Sequence, residues 1–238
     1  MRDSKRRQRL SAAIVALGLV IGADTTMAWA DTAAERLTES AAVFKEIMDA
    51  PDQGIPEDLL KNAYCVVVVP GVKKVGFVVG GKYGRGFAVC RKDNHAGWAA
   101  PAAVRVEGGS VGFQIGASET DVIMLVMDKR GMDGLLSSKF TLGGEAEVAA
   151  GPVGRSGTAQ TDATMRAKIL SYSRSRGVFA GMALSGATLR QDLDENKEMY
   201  GRSISNKEIL NAGLTPPAAA SELLALLSKY SGREGSTR

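Results

Sequence analysis

The residues able to do chemistry are few, and their spacing narrows what they can do. There is one histidine, His95, and there are two cysteines, Cys65 and Cys90. Zinc fingers and any site built on two histidines are therefore excluded. His95 lies in the polar turn Asp93-Asn94-His95-Ala96-Gly97, with no serine or cysteine placed to serve as its nucleophile, and reads as a surface histidine. Gly76-Phe77-Val78-Val79-Gly80-Gly81-Lys82 fills seven places of a phosphate-binding loop, but the eighth is Tyr83, where Ser or Thr must hold magnesium. Phe77-Val78-Val79 also favours strand over a flexible cradle. Gly81, Gly84 and Gly86 invert the dinucleotide-binding spacing, precede no helix and read as a turn. Glu145 and Glu147 are two apart on an expected strand, so they share a face at roughly 7 Å. Such a pair can serve glycoside hydrolysis, although exposed carboxylates on a half-buried strand explain it more simply. Cys65 and Cys90 sit in apolar strand contexts. They form a disulfide if their Cα atoms come within roughly 7 Å, or remain two buried thiols; both readings stand. No metal site, triad, phosphate loop or cofactor site emerges, and the chain reads as a non-enzyme.

Charge is the stronger signal. The 238 residues carry a formal +4, but Arg2, Lys5, Arg6, Arg7 and Arg9 precede an apolar run over residues 10–23, followed by Ala28-Trp29-Ala30. This is the layout of a secretory signal peptide over residues 1–30, with Asp31 as the expected first mature residue. The apolar run is shorter than the roughly 20 residues of a spanning helix. The expected location is outside the cytoplasm, in the periplasm or cell envelope. Residues 31–238 are then left with a net charge of +1, which removes the support for nucleic-acid binding.

That near-neutral total hides segregation. Residues 61–92 hold seven basic side chains (Lys61, Lys73, Lys74, Lys82, Arg85, Arg91, Lys92) and no acidic one. Residues 151–190 hold six (Arg155, Arg166, Lys168, Arg174, Arg176, Arg190) against Asp162 alone. If the two segments adjoin in space, they form one basic face that concentrates an anionic partner; the alternative is charges that point several ways.

The elements that must position these groups follow from hydrophobic period. Residues 33–49 read as a helix, with Leu37, Ala41, Phe44, Ile47 and Met48 at spacings of three and four, and Pro56 opens a second, short helix. Cys65-Val66-Val67-Val68-Val69 is a buried strand stopped by Pro70-Gly71. Further strands are expected over residues 76–80, 86–91, 98–106, 112–116, 121–127, 139–142, 146–150, 167–173 and 179–189, with a brief helix over 130–137. Helices return at 192–200, 207–211 and 218–230. The organisation is α+β: a helical segment (31–60), a single β-rich core of curved, mostly antiparallel sheet (61–190), C-terminal helices (191–230) and a loose tail (231–238).

Several stretches, in order, resemble the SYLF domain family, whose members include lipid-binding and actin-associated proteins of eukaryotes and bacterial exported proteins. They are Ile55-Pro56-Glu57-Asp58-Leu59-Leu60-Lys61-Asn62-Ala63 with the valine run, Val75-Gly76-Phe77, Trp98-Ala99-Ala100-Pro101, and Gly112-Phe113-Gln114-Ile115-Gly116-Ala117. Thr141-Leu142-Gly143-Gly144, Ala150-Gly151-Pro152-Val153-Gly154-Arg155 and Ser171-Tyr172-Ser173-Arg174-Ser175-Arg176-Gly177 follow. The resemblance implies binding of membrane phospholipid, with phosphoinositides the ligand of eukaryotic members. Carried residue by residue, it marks Lys74, Lys82, Arg85, Arg155, Arg174 and Arg176, to which Lys73 is added for its charge. It also implies a membrane-touching N-terminal helix, although residues 33–49 carry Glu35, Glu39, Glu46 and Asp49, where interfacial helices prefer Lys or Arg. The expected partner is an anionic phospholipid or membrane surface; the alternative is a structural envelope protein that holds a protein partner. Neither reading fixes an oligomeric state.

Overall fold

The computed structural model describes residues 31–50, 54–76, 79–92, 97–111, 116–143, 147–153, 167–175, 178–181 and 186–232. Residues 31–238 form one compact unit. The expected signal peptide, the turn holding His95, and Glu145, Arg155, Arg176 and residues 112–115 lie outside the described residues. In chain order the elements are α1 (Ala33–Asp49), α2 (Glu57–Asn62), β1 (Cys65–Gly76), β2 (Val79–Cys90), β3 (Ala102–Val111), β4 (Gly116–Val126), α3 (Lys129–Leu135), β5 (Lys139–Thr141), β6 (Val148–Ala150), β7 (Ile169–Ser175), β8 (Val178–Gly181), β9 (Thr188–Gln191), α4 (Leu193–Tyr200), α5 (Asn206–Asn211) and α6 (Ser221–Ser231).

Among the described residues nine strands make one curled sheet, eight of them in the order β5-β9-β3-β2-β1-β4-β7-β6 and β8 paired with β7 off this path. β6 and β8 share the outer edge of β7. Every pairing is antiparallel except β6 with β7. The α+β class, the curved antiparallel sheet and the helices at both ends are thus as the sequence implies.

Both faces of the sheet are covered at the valine run, which is why that run is continuous instead of alternating with polar residues. Cys65, Val67 and Val69 join a core with Met124, Val104, Leu189, Phe140 and Ile209. Val66 and Val68 join the other, against Leu37, Phe44 and Ile47 of α1 and Leu223 and Leu227 of α6. α1 starts with a reciprocal capping box between Thr32 and Glu35, which satisfies two of the free amide donors at its first turn.

Several sequence expectations are corrected. Pro70-Gly71 does not stop β1: the register slips between Val68 and Lys73, and the strand runs on to Gly76. Gly71 takes a positive φ of 56° at this bulge, and its N–H donates to Asp121 Oδ1 at 2.9 Å. Gly84 and Gly86 are not turn residues but lie within β2, beneath the bulge. A Cβ on Gly86 would fall 2.0 Å from the Val68 carbonyl oxygen, so only glycine fits there. Of the strand expected over 76–80, the described residues belong to two strands: Gly76 ends β1, and Val79 and Gly80 open β2. The strand expected at 98–106 starts only at Ala102, with Trp98 in a lone bridge to Arg91. The single strand expected over 179–189 is two, β8 on β7 and β9 across the sheet on β3. Glu147 precedes β6, and Glu145, its expected neighbour on a strand face, lies outside the described residues.

Of the two cysteine readings, the disulfide holds. Cys65 and Cys90 are register partners on β1 and β2, with Cα atoms 4.0 Å apart and the sulfurs bonded. A cross-link over a separation of 25 residues restricts the unfolded chain by about 3 kcal/mol. Reduction, or replacement of both cysteines by alanine, is expected to lower Tm by about 6–12 °C, as read by circular dichroism with and without reductant. An unchanged Tm would show that the bond adds nothing to stability.

Candidate functional site

Strand alternation decides where each basic side chain stands. Lys82 stands on the sheet face of Ala88 and Cys90, and its register partner Lys74 stands on the same face. Lys73, Arg85 and Arg174 fall on the opposite face, in line with Val66, Val68, Phe87 and Tyr172, which pack against α1. The five described residues do not share a single basic face. They separate into a lysine group at the far end of the β1–β2 hairpin and two arginines tied down further along.

The arginines are occupied. Arg85 Nε lies 2.8 Å from Asp192 Oδ2 and 3.2 Å from Glu195 Oε2, and Glu195 also pairs with Arg36 of α1. Burial pushes the Glu195 carboxyl up, against the pull of Arg36 and Arg85. Burial works against Asp192 too, but the Arg85 hydrogen bond and charge hold it below the usual carboxylate range. Arg174 pairs with Glu46 of α1 and with Asp121 at 2.5 Å. Arg91, from the same basic segment, donates to the carbonyls of Leu60, Lys61 and Ala63 at the end of α2 and to that of Ser231 in α6. It stacks 4.4 Å over the Trp98 ring. These arginines hold helices to the sheet.

The lysines are different. Lys74 and Lys82 face each other across β1 and β2, which puts their Cβ atoms about 5 Å apart. Gly108 of β3, opposite Lys82, leaves room for its stem: a Cβ there would meet Lys82 Cε at 2.8 Å. Lys82 is half-buried. Burial first, and the Lys74 charge second, push it below the ordinary lysine range, and no carboxylate among the described residues pulls it back. Like charges directly opposite one another destabilise a sheet. Lys73 is exposed on the other side of the same strand, with Glu119 as its β4 register partner.

Between the two groups, a cleft of about 150 Å³ is lined by Arg36, Glu39, Lys73, Tyr83, Arg85 and Glu119, among others. Its charges are mixed. Burial, then Asp121, Asp31 and Glu119, push the Glu39 carboxyl above its ordinary 4.5. A carboxyl raised in the folded state favours folding below its unfolded pKa and loses that benefit as pH rises through the folded value. Glu39→Gln is therefore expected to raise Tm at pH 7 and to leave it unchanged near pH 4. A Tm unchanged or lowered at pH 7 would contradict the crowded-carboxylate account.

Sequence reasoning missed the Arg36–Glu195 tie, since a lone arginine in an acidic helix gives no signal of a partner 159 residues away. It also missed Asn196 and Asn206. Their amides bond each other at 2.8 Å and clip α4 and α5 to both backbone groups of Ala103. The spacing Asp192-x-x-Glu195 is a legible capping signal, and the Asp192 side chain does accept from the Glu195 amide; the ion pairs beyond it are not legible.

Sheet and helices make a protein of α+β architecture that holds Lys74 and Lys82 opposite each other on one face of the sheet. Residues 107–230 match the family described as Ysc84, "Las17-binding protein actin regulator", and the chain belongs to this family, whose domain is the SYLF domain. It is 37% identical over 177 residues to an SH3 domain-containing protein of Schizosaccharomyces pombe, covering 73% of this chain and 41% of that one. It is 32% identical to LAS seventeen-binding protein 3 of Saccharomyces cerevisiae, over 74% of this chain and 39% of that one. It is 31% identical to SH3 domain-containing YSC84-like protein 1 of Homo sapiens, over 79% and 55% respectively. The matches thus span about half of those relatives or less, and the budding-yeast relative is named for what it binds.

Proposed function

We propose that this protein is exported and binds anionic phospholipid, associating peripherally with a membrane surface through Lys73, Lys74 and Lys82. The observation that carries the reading is the Lys74–Lys82 pair. The fold holds two cations in register, one of them half-buried, and a phosphate between them would meet both ammonium groups. Each lysine near an anionic surface contributes about 1 kcal/mol. Export is supported by the sequence of residues 1–30 and by the Cys65–Cys90 disulfide, a bond that persists in oxidising compartments. Arg85 and Arg174 act in this reading as scaffold, since their carboxylate partners already satisfy them.

The test is co-sedimentation with phosphatidylcholine vesicles and with vesicles containing phosphatidylserine, at low and high salt. Pelleting that requires the anionic lipid and fades with salt is the expected result; no pelleting with either would overturn the reading. A protein partner in the cell envelope is the second reading, and it draws on the names of the Las17-binding relatives. It predicts indifference to lipid charge and a complex on sizing.

A further inference from the structure

The lysine pair says which charges meet a membrane, but not whether anything enters it. Two large apolar side chains stand exposed at the same end of the sheet, Val75 at 55% and Tyr83 at 48%. Both lie on the sheet face opposite Lys74 and Lys82. Tyr83 is the register partner of Lys73, and Val75 that of Gly81, so the two are diagonal neighbours with Cα atoms roughly 7–8 Å apart. Gly81 in turn pairs with Gly109 of β3, and a Cβ on either glycine would meet nothing within 4 Å. Among the described residues, therefore, no helix covers the row through Val75, Gly81 and Gly109. One row further in, Asp31, just before α1, and Arg36 and Glu39 of α1 line the cleft that Lys73 and Tyr83 also line.

An apolar row rimmed by Lys73 on one face and by Lys74 and Lys82 on the other is suited to a surface that is anionic outside and apolar beneath. Tyrosine places an apolar ring below the head groups and a hydroxyl among them, while lysine stems lie along apolar surface with the ammonium in the polar layer. A protein partner would have to bury three lysines around two apolar side chains; a bilayer leaves them at the phosphates. We infer that the end of the sheet bearing Val75 and Tyr83 inserts into an anionic lipid bilayer, while Lys73, Lys74 and Lys82 grip the phosphates around it. This rests on the lipid reading above and adds to it an orientation and a depth.

Tyr83→Trp places a reporter at the inserted position, and Val75→Trp is a second should the first fold poorly. Emission is recorded as the difference from the unsubstituted protein, with phosphatidylserine-containing vesicles whose acyl chains are brominated. Insertion predicts a blue shift of the added tryptophan on binding and its quenching by the bromines. It also predicts that Val75→Asp with Tyr83→Asp weakens vesicle binding by about tenfold or more. Protein that pellets with the vesicles while both reporters stay unshifted and unquenched would overturn the insertion and leave lipid binding standing. Protein that does not pellet at all would overturn both.

Discussion

Replacing Lys74 and Lys82 together with methionine is expected to weaken binding to phosphatidylserine-containing vesicles by about thirtyfold, the equivalent of two lysines at about 1 kcal/mol each. The same change is expected to raise the Tm of the lipid-free protein. The second effect follows from the sign of the Lys82 shift. Burial and Lys74 hold its folded pKa below the ordinary 10.5, so the folded state binds that proton less tightly than the unfolded chain does. The resulting penalty is present at pH 7, shrinks as pH rises through the folded value, and is gone above 10.5. Methionine keeps most of the stem's volume and removes the charge. A gain in stability joined to a loss of binding is the signature of a site maintained for a ligand at the expense of the fold. The two readouts are a thermal melt at pH 7 and a vesicle titration at fixed low salt. Vesicle affinity unchanged in the double variant would end the lysine account, whatever the melt shows.

The second large effect concerns α1. Glu195→Ala is expected to destabilise the protein by about 3–5 kcal/mol, because it leaves the Arg36 guanidinium buried without its carboxylate. Arg36 is buried, and Glu195 is 1% exposed. Arg85 loses one of two carboxylates but keeps Asp192 at 2.8 Å. The tie matters beyond its own energy because it is one of several polar contacts among the described residues that hold α1 on the unit. Others are the Ala33 N–H to Glu198 bond of 2.9 Å, the Tyr230 Oη to Asp49 bond of 2.6 Å and the pairing of Arg174 with Glu46. Replacing Arg36 and Glu195 together with leucine removes both buried charges at once and should recover most of the loss, as buried pairs exchanged for apolar groups commonly do. Urea unfolding of the two variants checks this. A Glu195→Ala loss under 1 kcal/mol would show that the pair is not desolvated in solution.

The same tie explains why reversing the charge of Arg85 or Arg174 is a poor probe of lipid binding. Each would place a carboxylate against existing carboxylates, Asp192 and Glu195 for Arg85 and Asp121 and Glu46 for Arg174. Lost binding would then be confounded with lost fold. Lys82, which no carboxylate among the described residues pulls back up, is the position at which charge is tested more cleanly.

What the sequence by itself determined were features set by local period and local chemistry. α1 was legible over its whole length because its apolar stripe repeats at helical spacing. The valine run of β1 was legible as a buried strand because it is an unbroken β-branched run. The order of helices after residue 191 was legible from caps and prolines. The tertiary structure alone decided which strands are neighbours: residues 178–181 and 188–191, ten apart in the chain, end on opposite sides of the sheet. It alone decided that Gly84 and Gly86 lie under a bulge, since the atoms they must avoid belong to Val68, Val69 and Val72 of the paired strand. It also divided one run of basic residues into two roles. Strand alternation and the bulge set Lys74 and Lys82 on one face and Lys73 and Arg85 on the other, and the carboxylates that neutralise Arg85 arrive from residues 192 and 195. Charge along a sequence is a local sum, whereas the availability of a charge for a ligand depends on partners that only the folded chain brings near.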